Sequence, residues 1–417
     1  MPKIFGVALL ALVLAAASPT PAVAKESAQS DHIPGRYIVT LKDTAVRGDA
    51  DTAVDAAVEQ ASSMGAEVKH VYRYALHGYA ASMSPSAAAT LADDPQVLSV
   101  QPDRWVQATA QSTPTGVDRA EADLSPTAAI DGVDTRVAAD VAVIDTGIDL
   151  DHPDLNVHKD GGKNCWLGML PPDDMHGHGT HVGGTIGALD NGTGVVGVAP
   201  GARLWPVQVL SPLGWGSTSD VVCGIDYVTE HADEIDVANM SLGGSGTDDG
   251  NCGKTDNDAM HQAICASVAK GVTYTVAAAN DHADAKNTTP AAYDEVITVS
   301  ALADFDGKPG GIGRPTCLSD QDDTFANFSN YGSDVDLIAP GVCIRSTYMG
   351  GGYATMSGTS MAAPHVAGGA ALYRATHPTA SPSVVKAALQ RAGSLDWTWP
   401  SQDGDGTKER LLRLRSF

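Results

Sequence analysis

Basic residues are scarce in this 417-residue chain: 26 Lys and Arg stand against 50 Asp and Glu, a formal net charge of −24. No Lys/Arg run exceeds two residues, so neither nucleic acid nor an anionic membrane is an expected partner. Aromatic residues are only 5%, which leaves the core to Ala, Val, Ile and Leu. Cysteine is missing from the first 164 residues, and none of the six present forms a C-x-x-C pair, which speaks against zinc. The H-E-x-x-H pattern is also missing, although His176, His178 and His181 lie close together. The longest apolar run, Ile4 to Ala17, is shorter than the roughly 20 residues that span a bilayer. What remains is 43% hydrophobic and 18% charged, the balance of a globular chain. Its length is a prior of two or three folded units at roughly 150 residues each.

Lys3, the apolar run and the small residues of Ala22-Val23-Ala24 predict a secretory signal over residues 1–24. The expected product is a secreted, extracellular protein with no membrane association after signal removal, and a monomer. An even cysteine count in an exported chain favours three disulfides. Neighbour pairing predicts Cys165–Cys223, Cys252–Cys265 and Cys317–Cys343, one of fifteen pairings open to six cysteines.

Residues 35 to about 107 read as a small α/β unit. Tyr37–Leu41, Val68–Tyr72, Tyr79–Met83 and Val97–Val100 have strand composition. Asp51 is placed to cap a helix carrying Val54, Ala57, Val58 and Ala61 on one face. Ser84-Pro85 caps a second, through Leu91. The order βαββαβ is ferredoxin-like. Gln101–Thr115, polar and aperiodic with Pro102 and Pro114, reads as a cleavable linker.

Beyond it, Val141–Ile144, Val207–Leu210, Val237–Met240, Val272–Ala277 and Val296–Val299 are apolar throughout. Helical stretches such as Thr218–Thr229 and Ala259–Ala269 separate them. That alternation predicts an α/β fold, a parallel sheet with helices on both faces. Ligands then bind beyond the carboxyl ends of the strands.

Asp145 ends one such strand, His178 lies in HGHGTHVGGT, and Ser360 lies in GTSMAAPHVAG. Singly, an Asp after a strand is usually a turn residue, a His among glycines is structural or a ligand, and a Ser before a helix is an N-cap. Jointly, the order Asp, His, Ser within these three segments resembles the subtilase family of serine proteases, most closely its proteinase K-like branch. The resemblance covers about 113 to 393, and the domain ahead of it looks like the family's inhibitory propeptide. It implies a subtilisin-like fold, with residues 25–110 as a propeptide that inhibits its own enzyme and 111–417 as the peptidase domain. It also implies polypeptide substrates and self-processing near Ala110.

In that family His178 would be the base, Asp145 its orienting partner, Ser360 the nucleophile and Asn280 the side-chain donor to the oxyanion. Gly214, Trp215 and Gly216 match the edge segment that pairs with substrate, and Ser241, Leu242 and Gly243 match a border of the main specificity pocket. Ala277, Ala278 and Ala279 match its wall, where relatives have Ala-Ala-Gly; the methyl of Ala279 is expected to narrow it. Asp336, with the carbonyls of Asp294 and Val296, matches a structural calcium site. Asp403-Gly404-Asp405-Gly406 resembles a calcium loop but lacks the EF-hand glutamate, so a plain turn is expected. The rival reading is a catalytically inactive binding or adhesion module on the same fold; retention of all four polar site residues argues against it.

Overall fold

The computed structural model describes residues 32–42, 50–104, 110–398 and 403–417. The expected signal, residues 1–24, lies outside them. The chain divides into two compact units, Met1–Gln107 and Ala108–Phe417.

The first unit runs β1 (His32–Leu41), α1 (Ala50–Ser63), β2 (Glu67–Tyr72), β3 (Gly78–Ser82), α2 (Pro85–Ala92) and β4 (Val97–Arg104). Its sheet is antiparallel in the order β2-β3-β1-β4, as expected of a ferredoxin-like sandwich. Val54, Ala57 and Ala61 fall on one helical face and meet Val39, Tyr79, Leu91 and Val97 in a single core. Ser84 caps α2 by accepting from Ala87 N, with Pro85 in the first turn. Asp51 is not a cap: α1 already includes Ala50, which puts Asp51 in the first turn, where its charge suits the helix dipole.

The second unit begins with α3 (Thr115–Arg119), β5 (Asp140–Asp145), β6 (Lys163–Asn164), α4 (His178–Gly187), β7 (Arg203–Gln208), α5 (Thr218–Glu230), β8 (Val237–Met240) and β9 (Gly244–Ser245). It continues through α6 (Ala259–Ala269), β10 (Thr273–Ala277), β11 (Thr288–Thr289), β12 (Ile297–Ala303), β13 (Thr324–Phe325) and β14 (Leu337–Pro340). The hairpin β15 (Ile344–Tyr348) and β16 (Gly352–Met356) precedes α7 (Thr359–Thr376) and α8 (Pro382–Ala392). The sheet order is β13-β12-β10-β8-β5-β7-β6, with β14 also on β12, and all its pairings are parallel except β12 with β13.

Alternation along β5 explains why its sequence is apolar without a break. Val141 and Val143 enter the core under α4, α7 and α8, while Ala142 and Ile144 enter the one under α5 and α6. The expected start of β7 at Val207 is four residues late, because Arg203 and Pro206 do not read as a strand interior. Pro206 is tolerated because β6 reaches only Val207 and Gln208, leaving that flank of Pro206 outside the ladder. Disulfides join Cys165 to Cys223, Cys252 to Cys265 and Cys317 to Cys343.

The linker reading needs correction at both ends, and at its start Gln101–Arg104 are part of β4. Residues 105–109 lie outside the described residues, but Ala110 to Ser112 are docked. Gln111 N donates to Gly192 O (3.1 Å) and Ser112 N to Gly194 O (2.9 Å). The Gln111 side chain donates to Asp190 Oδ1 (2.6 Å) and accepts from the amides of Asn191 and Gly192.

Candidate active site

Asp145 stands at the carboxyl end of β5 and is wholly buried. Its Oδ1 lies 2.7 Å from His178 Nδ1 and accepts from Thr146 N at 2.7 Å. A carboxylate only accepts, so Nδ1 carries the proton and Nε2 keeps its lone pair. Burial alone would lower the basicity of His178, but the charge and hydrogen bond of Asp145, with Asp174 behind them, outweigh it and raise the pKa above 6.5.

His178 is the first residue of α4, and its position is set by Asp174, which sequence reasoning missed. Asp174 Oδ1 accepts from the amides of His176 and Gly177 and from Thr146 Oγ1, each at 2.9 Å. Its Oδ2 accepts from Thr180 N and Thr180 Oγ1. One buried carboxylate thus satisfies the helix start and the turn after Asp145 together. Gly179 must lack a side chain, since a Cβ there would meet Gly147 O at 2.1 Å.

Ser360 is the second residue of α7, so its N–H has no acceptor within the helix. Pro364 lacks an N–H and leaves the Ser360 carbonyl free. Ser241 Oγ fills that vacancy at 2.8 Å, itself accepting from Asn239 Nδ2 at 2.9 Å. The hydroxyl of Ser241 is therefore spent on anchoring α7. Ser360 Oγ in turn donates to Ser241 O at 3.3 Å and makes no hydrogen bond to His178.

Asn280 follows β10 on a strained turn. Ala279 has φ +80°, a conformation that favours glycine. Asn280 Oδ1 accepts from Thr359 N (2.9 Å) and Thr359 Oγ1 (3.0 Å), which fixes the amide's orientation. Thr359 is a second residue the sequence did not single out.

Two clefts adjoin these residues. One, of about 550 Å³, is lined by His176, His178, Leu210, Gly214, Trp215, Gly216, Val221, Ser241 and Met260 among others. Leu213 and Trp215 on its rim are 81% and 80% exposed. The other, of about 390 Å³, is lined by Leu242–Ser245, Ala277, Ala279, Asn280, Asp281, Thr288, Thr359 and Ser360. Ala278, expected in that wall, is fully buried against Ala285 and Val335 instead.

Subtilisins generally bind structural calcium, but the expected ligands do not fit it here. Asp336 Oδ2 lies 2.8 Å from Lys386 Nζ, which also donates to Val296 O (2.8 Å) and Asp294 O (3.2 Å). All three oxygens converge on an ammonium carried by α8. A divalent ion among them would meet a like charge at contact distance, so this site holds the chain's own cation.

With this geometry in place, comparison with known proteins is informative. The Subtilase family (Peptidase_S8) matches residues 138–410, and the peptidase inhibitor I9 family matches residues 36–109. An extracellular serine proteinase of Thermus sp. (strain Rt41A) is 37% identical over 408 residues, 91% of each chain. Subtilisin NAT of Bacillus subtilis subsp. natto is 35% identical over 358 residues, covering 85% of this chain and 84% of its own. The crystal structure of a cold adapted subtilisin-like serine proteinase covers 72% of this chain and 97% of its own, with 33% identity and a TM-score of 0.56. These relatives support the family without singling out its proteinase K-like branch. With a family match over most of its peptidase unit and relatives aligned along nearly its whole length, the chain belongs to the subtilase family: it is a serine endopeptidase with an N-terminal inhibitor I9 domain.

Proposed function

We propose that Asp145, His178 and Ser360 act as the catalytic triad, with Asn280 and the Ser360 N–H as oxyanion donors. The observation that carries this is the 2.7 Å bond from His178 Nδ1 to a buried Asp145, which leaves Nε2 as an available base. Ser360 must turn from the Ser241 carbonyl so that His178 can take its proton as it attacks the scissile carbonyl. The oxyanion then meets the start of α7, where free amides and the helix dipole favour negative charge. His178, now an imidazolium stabilised by Asp145, returns its proton to the leaving amine.

Substrate would lie extended along Gly214–Gly216. Its side chain before the cut bond would enter the cleft walled by Ala277 and Ala279, whose methyl favours small residues over large aromatic ones. The precursor would be secreted and cut itself within about two residues of Ala110, freeing residues 25–110 to inhibit residues 111–417. Docking of Gln111 against Asp190–Gly192 supports this, since a new N-terminus formed there has a built place to rest. The freed unit carries seven basic against eleven acidic residues and the peptidase 18 against 39. Like charges oppose their complex, so apolar burial and strand pairing would supply its affinity.

N-terminal sequencing tests the proposal. Secreted wild type should begin between residues 108 and 114, and Ser360→Ala should remain uncut. A start elsewhere, or equal processing in both, contradicts it.

A further inference from the structure

The short sequence Asp403-Gly404-Asp405-Gly406-Thr407-Lys408-Glu409 folds back so that carboxylate oxygens of Asp403, Asp405 and Glu409 lie within 4.8 Å of one another. Glu409 is only 6% exposed, and neither of its side-chain oxygens has a hydrogen-bond partner. An unpartnered buried carboxylate is costly unless something cationic answers it.

The neighbouring cation does not. Lys408 Nζ turns to the carbonyls of Leu395 (2.8 Å) and Trp397 (2.5 Å) and rests 5.0 Å over the Trp397 ring. The contrast with Asp336 is direct: there a lysine fills the cation position, whereas here the adjacent lysine is committed elsewhere.

We propose that Asp403, Asp405 and Glu409 bind a calcium ion that staples the C-terminal segment to the sheet. The donors are all hard oxygens, and an ion with bonds of about 2.4 Å reaches oxygens up to about 4.8 Å apart. In place of the glutamate that an EF-hand loop carries at position 12, the fold brings in Glu409, six residues after Asp403, so the proposal departs from the expectation of a plain turn.

The loop sits where an ion would matter for stability. Glu409 O accepts from Trp397 Nε1 at 3.0 Å, and the next residues bracket β14, with Ile338 N donating to Arg410 O and Leu412 N to Ile338 O. Gly404 lies so close to Tyr331 that a Cβ would fall 2.2 Å from the ring. Tyr331 in turn bonds through its backbone to Ala283 and Ala285, just beyond Asn280.

The experiment uses the full chain carrying Ser360→Ala, to prevent autolysis, stripped with chelator. Terbium, a luminescent stand-in for calcium, should give saturable emission on tryptophan excitation through Trp397, and calcium should displace it. Asp405→Asn changes an exposed residue and so spares the fold; it should weaken this binding at least about tenfold, since even indirect support of a metal is worth that much. Glu409→Gln should abolish the emission and, with Asp405→Asn, shrink the rise in Tm on adding calcium. Tryptophan-sensitised emission and a calcium-dependent Tm equal to the parent's in both variants would overturn the site, as would a parent with no saturable emission.

Discussion

Asp145 and His178 are fastened by buried carboxylates, whereas Ser360 and Asn280 are fastened by hydroxyls and backbone. In the first half, Asp145 and Asp174 between them engage the amides of Thr146, His176, Gly177 and Thr180 and the His178 ring. In the second, a proline that removes a helix hydrogen bond, a serine that replaces it and an alanine at φ +80° set the geometry. The first half tunes a proton affinity and the second aims donors. Substitutions should therefore separate by half: changes near Asp145 should move pH profiles, and changes near Asn280 should move rates at fixed pH.

The largest effect should come from Ser360, the proposed nucleophile, on which the work of both halves converges. Ser360→Ala should lower kcat by about 10⁶, a magnitude taken from subtilisin itself and not from this geometry. Undiminished peptide hydrolysis by the purified variant would sink the assignment. Asp145→Asn should cost on the order of 10⁴ in kcat, by allowing the wrong His178 tautomer. The same change sharpens the comparison through pH. Because the His178 pKa is raised, its neutral, working form is lost as pH falls through a value above 6.5, so the acid limb of kcat/KM should lie there. Asp145→Asn should shift that limb to lower pH; an unmoved limb would detach His178 from Asp145.

Asn280→Ala should lower kcat by about 10² to 10³ with KM little changed and the acid limb in place, again the scale known for subtilisin. A shifted limb would break the division between halves. Ala279→Gly should have the smallest effect. It relieves a left-handed alanine worth about 1–2 kcal/mol, part of which glycine's extra freedom when unfolded takes back, so stability should rise by about 0.5–1 kcal/mol. Larger side chains before the cut bond should gain in kcat/KM, and denaturant unfolding with a peptide series reads both.

What was legible in the sequence followed from local chemistry. The βαββαβ order, the apolar strands flanking Asp145 and Asn280, and helix α6 at its exact ends are periodicity and capping. The expectation for Asp145, His178, Asn280 and Ser360 rests on the glycines and small residues that surround them in recognisable runs. What was hidden depended on distance along the chain. Lys386 lies fifty residues beyond Asp336, on a helix whose sequence reads as a solvent face, so nothing local marks it as a cation for Asp294, Val296 and Asp336. Asp174 reads as one acid among many until the fold brings Thr146 and Thr180 to it. Ala279 reads in the sequence as a methyl in a pocket wall, while its backbone strain is visible only in three dimensions.

Labelling with a fluorophosphonate, followed by peptide mapping, tests the central claim most directly. One label per mature chain should form on Ser360, at a rate that falls with the acid limb of hydrolysis and drops sharply in Asp145→Asn. A label on any other serine, or none while hydrolysis continues, would contradict the account.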